Sequence, residues 1–328
     1  MKVALDVMGG DYAPGEVIRG AYLASQEFKD LELLLVGKAS LIEDCLRSQK
    51  INFKFSIVDA PQKIEMGDSP ALSVRRKKDS SIVKGIELLK NKEADAFVSC
   101  GNTGAIVCAS TLYLGLIEGI ERPGIALVFP TLRGLSLIID VGANIDPKPL
   151  HLFQYALMAE IYFKRVLNKE APSLGLLNIG EEESKGPEFL RETSSLLKEN
   201  FSNFIGNIEP KDIFMGSCDC IICDGLAGNI ALKVSEGFAE AVDYFLISEV
   251  KKDFLGILAL GVLRKSFKRF RKMIDYAEYG GAPLLGVDGV IIIGHGRSNA
   301  KAVKNAIRAS LREFETNINE EIREKVKN

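Results

Sequence analysis

Short apolar runs alternate with longer amphipathic stretches along the whole chain. Runs at 2–7 (KVALDV), 31–37 (LELLLVG), 53–58, 95–100, 124–130, 135–140, 173–179, 218–224 and 289–294 (GVIIIG) predict strands. Several are apolar almost throughout, the pattern of strands buried on both faces of a parallel sheet. Stretches between them, such as 15–28 and 80–91, repeat apolar residues at three- and four-residue steps and predict helices. This alternation predicts an α/β fold with a doubly wound, mostly parallel sheet. No internal repeat or Pro/Ser-rich linker interrupts it, so the expectation is one domain over 1–328, with room for two lobes.

Ligands of such sheets bind beyond the carboxyl ends of the strands. Six of the apolar runs end in glycine mixed with polar residues: DVMGGDYAPGE, GNTGA, DVGANIDPKP, GEEESKG, DGLAGN and GHGRS. A chain connection needs only one or two turn residues. Six such turns meeting at one rim predict a site for phosphate or another small polar ligand. In DAFVSCGNTGAIVCAS, residues Gly101, Asn102, Thr103 and Gly104 separate a strand run from a helix run. There backbone N–H groups can approach an anion, and a helix N-terminus favours negative charge. The same residues also suit a connection that binds nothing. Asp6, Asp11, Asp140, Asp146 and Asp224 fall at strand ends too. Loop anchoring suits them better than Mg²⁺, because an anion wants donors rather than bare carboxylates beside it.

The net charge of −2 argues against a global nucleic-acid footprint. No apolar run reaches the ~18–20 residues of a spanning helix. The first residues, MKVALDVMGGD, lack the long apolar core of a signal peptide and read as the first strand of a cytoplasmic protein. No G-x-G-x-x-G, G-x-x-x-x-G-K-[ST] or G-x-S-x-G occurs. Of the six cysteines, Cys218, Cys220 and Cys223 form CDCIIC inside a strand-like run, which reads as buried thiols rather than a metal or redox site. His151 opens a helix and reads as a packing or surface residue. His295, between two glycines at a strand end, suits a ligand contact or a packing role equally. Lys185, alone on most surfaces a solvated charge, neighbours the expected ligand rim.

Residues 251–276 stand apart. Leu255, Leu258, Val262 and further apolar residues recur at helical steps, while Arg264, Lys265, Lys268 and other basic residues fill the remaining surface. A basic amphipathic helix of this kind lies on anionic lipid. The alternatives are a core helix or a dimer contact.

Taken together, LDVMGGDYAPGE, MGDSPALSVRRKKDSS, SCGNTGA, DVGAN, GLLNIGEEESKG, DGLAGN, EYGGAPLLGV and GHGRSNAKA resemble the bacterial phosphate acyltransferase family of phospholipid synthesis (PlsX). The resemblance covers essentially the whole chain, in order. It implies a three-layer α/β/α fold similar to phosphotransacetylases and to isocitrate/isopropylmalate dehydrogenase-like proteins. It also implies a homodimer and peripheral association with the inner face of the cell membrane; the expectation for cofactor and metal is none. The implied reaction transfers a fatty acyl group from acyl-[acyl carrier protein] to inorganic phosphate. A membrane glycerol-3-phosphate acyltransferase then uses the acyl phosphate. Arg297, Leu226 and Ala227 depart from the residues more usual in the family's motifs.

On this reading Gly101–Gly104 cradle phosphate, Lys185 offsets anionic charge, and His295 and Asn229 donate to the developing oxyanion. Asp6, Gly9, Gly10, Asp11, Asp140, Asn144 and Asp224 position the loops. A covalent route would need Cys100, which is expected to face the core. A nicotinamide-dependent dehydrogenase of related fold and a non-catalytic carrier-protein or membrane scaffold are the competing readings.

Overall fold

The computed structural model describes residues 1–252, 265 and 280–327. Elements are numbered along these residues. Eleven strands form one continuous sheet: β1 (Lys2–Asp6), β2 (Glu32–Gly37), β3 (Ser56–Asp59), β4 (Ala96–Ser99), β5 (Gly124–Thr131), β6 (Gly134–Ile139), β7 (Leu174–Leu177), β8 (Phe204–Ile208), β9 (Cys220–Ile222), β10 (Ala282–Leu285) and β11 (Val290–Ile293). Their spatial order is β3-β2-β1-β4-β11-β10-β5-β6-β9-β7-β8.

Side-chain alternation explains why the strands are apolar throughout. On β1, Ala4 points to one core while Val3 and Leu5 point to another. On β4, Phe97 joins the first core, and Ala96 and Val98 the second. Helices cover both faces, so neither face of these strands can carry a polar residue cheaply. Helices α1 (Gly15–Glu27), α2 (Ala39–Gln49) and α9 (Ala300–Thr316) bring Val17, Ile18, Ile42, Val303 and Ile307 to one side. Helices α3 (Pro70–Arg76), α4 (Ser81–Lys90) and α5 (Thr103–Ala109) cover the other with Val74, Ile82, Val83, Ile86 and Ile106. A third core joins β6, β7 and β9 to α6 (Pro149–Val166), α7 (Glu188–Asn200) and α10 (Ile318–Lys327) through Tyr155, Leu197 and Ile322.

The nine expected strands are present, with β8 and β10 in addition. The sheet is mostly parallel, but its three antiparallel pairs alter the geometry of the site. β10 runs against both β11 and β5, and β5 runs against β6. Strands β3-β2-β1-β4-β11 therefore point one way and β6-β9-β7-β8 the other. The expected single rim of six turns is thus two groups: the ends of β1, β4 and β11, and the ends of β6, β7 and β9. Helix α8 (Gly225–Val250) starts at the second group and runs toward the first. Leu255, Leu258, Val262, Arg264 and Lys268, expected at a membrane, lie outside the described residues; Lys265 is exposed.

Candidate active site

At the first group, β1 ends on Asp6, which is buried. Its Oδ2 accepts the Ser99 hydroxyl at 2.6 Å and its Oδ1 accepts the Met8 N–H at 3.0 Å. Burial pushes this carboxyl above the ordinary range, while hydrogen bonds from Ser81, Ser99, Met8 and Gly9 pull it back. Ser99 Oγ in turn accepts the Gly101 N–H at 3.0 Å. The β1 and β4 ends are so close that a Cβ at Gly9 would lie 2.5 Å from Asp6 Oδ2 and 2.6 Å from Gly101 N. Asp11 N–H donates to Gly296 O at 2.8 Å, and Gly294 N–H donates to Ser99 O at 2.8 Å, which adds the β11 turn. Hydrogen bonds of Asp6 and of the Asp11 backbone thus tie the three turns together.

Asn102 is committed to architecture. Its Oδ1 accepts the Ala105 N–H at 2.9 Å and caps α5. Its Nδ2 donates to the carbonyls of Glu65, Met66 and Asp68 at 3.1, 3.0 and 3.2 Å. Both ends of the amide are occupied, so Asn102 can serve a phosphate only through its backbone. Gly101 N–H is likewise taken. The N–H groups of Thr103 and Gly104, at the helix start, lie outside the protein's own hydrogen bonds among the described residues.

His295 lies one residue past Gly294. Its Nδ1 accepts the Arg297 N–H at 3.1 Å, which leaves Nε2 as the protonated nitrogen of the neutral ring. Burial lowers its pKa; Glu236 opposes this, and Lys233 and Arg297 add to it.

At the second group, both carboxylate oxygens of Asp140 are engaged by backbone N–H donors of Ile125, Gly142, Ala143 and Asn144 at 2.7–3.0 Å. Burial raises its pKa against these bonds. Asn144 donates to Pro123 O at 2.6 Å and to Tyr155 Oη at 2.7 Å. Asp224 caps α8, accepting Leu226 and Ala227 N–H at 3.0 and 2.8 Å. Gly225 N–H donates to Asn144 O at 2.8 Å. A Cβ at Gly228 would collide with Asp140 O, so the DGLAG stretch must be glycine where it crosses this turn. Asn229 is exposed, with its Nδ2 3.5 Å from the Cβ position of Gly142. Lys185 is tied to its own loop: its N–H donates to Glu182 O at 3.0 Å, its carbonyl accepts Asn178 Nδ2 at 3.1 Å, and Nζ lies 3.9 Å from Glu182 Oε1.

Helix α8 joins the two groups. Asn229 and Glu236 are seven residues apart, on one side of the helix and separated by about 10 Å along it. Glu236 Oε1 lies 3.8 Å from His295 Nε2. The structure therefore sets His295 beside Glu236 on the same side of α8 that carries Asn229. Among the described residues Lys185 makes no hydrogen bond or ion pair with either. Ser99 and Glu236 escaped the sequence reading, because each gains its meaning from a partner dozens of residues away. Among the described residues no cluster of His, Cys, Asp or Glu is arranged to hold a metal ion. The Cys100 thiol is buried and pushed up to about 11, and Cys218, Cys220 and Cys223 are also buried. His151 is buried as well, accepting the Lys148 N–H at 3.0 Å, in keeping with a packing role.

The family described as "Fatty acid synthesis protein" matches residues 1–321. A phosphate acyltransferase of Dictyoglomus turgidum is 48% identical, over 99% of this chain and 97% of its own length. The chain belongs to the phosphate acyltransferase (PlsX) family. As a member, it is an acyltransferase. The dehydrogenase and scaffold readings give way on this point. Solved structures agree on the fold: a phosphotransacetylase from Streptococcus pyogenes superposes with a TM-score of 0.65 at 16% identity, over 96% of this chain and 94% of that one. A 4-hydroxythreonine-4-phosphate dehydrogenase from Klebsiella pneumoniae gives 0.51 at 14% identity, over 96% and 97%. The phosphate acyltransferase family fold is thus the expected α/β/α sheet. No helix among the described residues is long and apolar enough to cross a membrane.

Proposed function

We propose that this chain transfers a fatty acyl group from acyl-[acyl carrier protein] to inorganic phosphate, releasing acyl phosphate for phospholipid synthesis. Near full-length identity to phosphate acyltransferases carries the reading. A phosphate oxygen attacks the thioester carbonyl carbon, a tetrahedral oxyanion forms, and the C–S bond breaks. A thiolate of ordinary pKa, about 8.5, leaves readily. The protein's task is therefore to hold phosphate, orient it and stabilise the oxyanion.

The first group of turns suits that task. Thr103 and Gly104 N–H, at the start of α5, would hold phosphate. His295 Nε2–H, on the same group, would donate to the oxyanion. Asn229 would donate to the oxyanion as well, and Lys185 would offset anionic charge. Asp6, Asp11, Asp140, Asn144 and Asp224 would keep the turns in place, as two lobes of one domain.

A homodimer is part of the same reading. Ile230, Val234, Phe238 and Phe245 expose an apolar stripe along α8, with Phe238 at 70% exposure. Isolated apolar residues on a surface need no partner, but a stripe does. Peripheral association with the cell membrane rests on the basic amphipathic pattern of 251–276. The test of the function is formation of acyl phosphate from an acyl carrier thioester and inorganic phosphate.

A further inference from the structure

We infer that the outer side of α3 is the docking surface for an acidic protein that carries the acyl thioester, with Arg75, Arg76 and Lys78 as its cationic contacts. The inference rests on the proposed reaction and on its placement at the first group of turns. Four cations stand in a row at the end of α3: Arg75, Arg76, Lys77 and Lys78. The fold uses one of them. Lys77 Nζ donates to Lys63 O at 2.8 Å and to Asp68 Oδ2 at 2.6 Å, tying the helix end to the segment before it. Arg75, Arg76 and Lys78 are exposed, and among the described residues their side chains make no hydrogen bond or ion pair.

The neighbouring acids do not answer these three. Asp68 pairs with Lys77, Glu65 with Lys63 at 2.8 Å and Asp79 with Lys84 at 3.2 Å. The helix end is therefore locally positive, in a chain of net charge −2. A cation at a helix C-terminus complements the dipole, and Lys77 already serves there. Ser73 and Val74 face the core. Leu72, three and four residues before Arg75 and Arg76, shares their outward side and is 47% exposed. Charges that steer and orient, around an apolar residue that holds, make up a protein-binding patch.

Helix α3 starts beside the proposed site. A Cβ at Gly104 would lie 2.6 Å from Pro70 Cγ, and one at Gly296 would lie 3.3 Å from Met66 Cε. With the Asn102 bonds to Glu65, Met66 and Asp68, this segment borders the β4 and β11 turns. Arg76 follows Pro70 by six residues, about 9 Å along the helix. A carrier seated on Arg75 and Arg76 thus stands next to the turns its thioester must reach. Anionic lipid is the other surface such charges could meet. A helix lying on lipid needs a continuous apolar face, and α3 has seven residues with Leu72 as its exposed large apolar side chain.

The test uses the full-length protein with a fatty acyl-[acyl carrier protein]. Arg75→Glu combined with Arg76→Glu raises the KM for the acyl carrier about tenfold, the low end of electrostatic steering, with the KM for phosphate unaltered. Added salt raises the wild-type KM for the carrier more than that of the variant. Lys29→Glu combined with Lys54→Glu makes the same change of charge on exposed residues outside α3 and keeps the wild-type KM. A wild-type KM and salt response in the α3 variant overturn the inference. So does a lower kcat at unaltered carrier KM, which marks a structural role for the two arginines. Loss of binding to vesicles of anionic lipid, with carrier binding intact, overturns it too. If the wild type forms no acyl phosphate, the reaction reading falls, and titration of holo-[acyl carrier protein] into both proteins still decides the docking. Weaker binding by the variant upholds it; equal or undetectable binding overturns it.

Discussion

The side-chain nitrogen of Asn102 donates to the backbone oxygen of Met66 at 3.0 Å, across 36 positions of sequence. With the bonds to Glu65 and Asp68, it fastens the segment before α3 to the turn after β4. Asn102→Ala removes the cap of α5 and leaves these carbonyls without their donor. The expected cost is about 2 kcal/mol, seen as a lower urea midpoint at unchanged m-value. A variant with wild-type stability and a strongly raised KM for phosphate would mean that the amide serves the ligand instead.

Glu313 on α9 is 1% exposed, its Oε2 has no hydrogen-bond partner among the described residues, and burial pushes its pKa from 4.5 up to about 8. The folded chain keeps this proton at pH values where the unfolded chain has lost it. Its contribution to stability is fully present below about 4.5 and falls as pH rises, until it is lost above about 8. The slope from this group is at most about 1.4 kcal/mol per pH unit. Glu313→Gln should flatten the stability profile across that window and exceed wild type at pH 9. Chemical denaturation at pH 6, 7, 8 and 9 reads this; parallel profiles for the two proteins would contradict it.

Most of the nine strands legible in the sequence share one property. They are buried on both faces, so their apolar runs need no knowledge of what packs on them; β3, at the sheet edge, has no buried residue. β10 is four residues long and contains Pro283, and β8 carries Gly206 at φ +100°; neither makes such a run. Strand direction is not a local property either, so the split into two groups of turns went unread. One local sign existed: Leu132 and Arg133 are the two-residue connection of the β5–β6 hairpin. An Asn before a helix reads equally as a cap or a ligand, and only the positions of Glu65, Met66 and Asp68 decide. Glu236 looks in sequence like any solvated helix residue, since His295 is 59 positions away.

Cys100 is 2% exposed, and its thiol is pushed up to about 11, so little thiolate exists at neutral pH. Cys100→Ala should keep turnover within about threefold of wild type, since direct displacement needs no thiol nucleophile. A folded Cys100→Ala protein more than a hundredfold slower would restore the covalent route.

The exposed stripe on α8 predicts self-association. Wild-type protein should sediment as a dimer at micromolar concentration. Val234→Glu combined with Phe238→Glu should shift it to monomer by placing carboxylates in an apolar contact. A wild-type monomer at these concentrations would remove α8 as a dimer surface.

The central claim is tested most directly by giving the purified protein a fatty acyl-[acyl carrier protein] with and without inorganic phosphate, and counting products. The account predicts acyl phosphate and free carrier thiol in equal amounts, both dependent on phosphate. Thiol release that ignores phosphate, or no release at all from a folded protein, would contradict it.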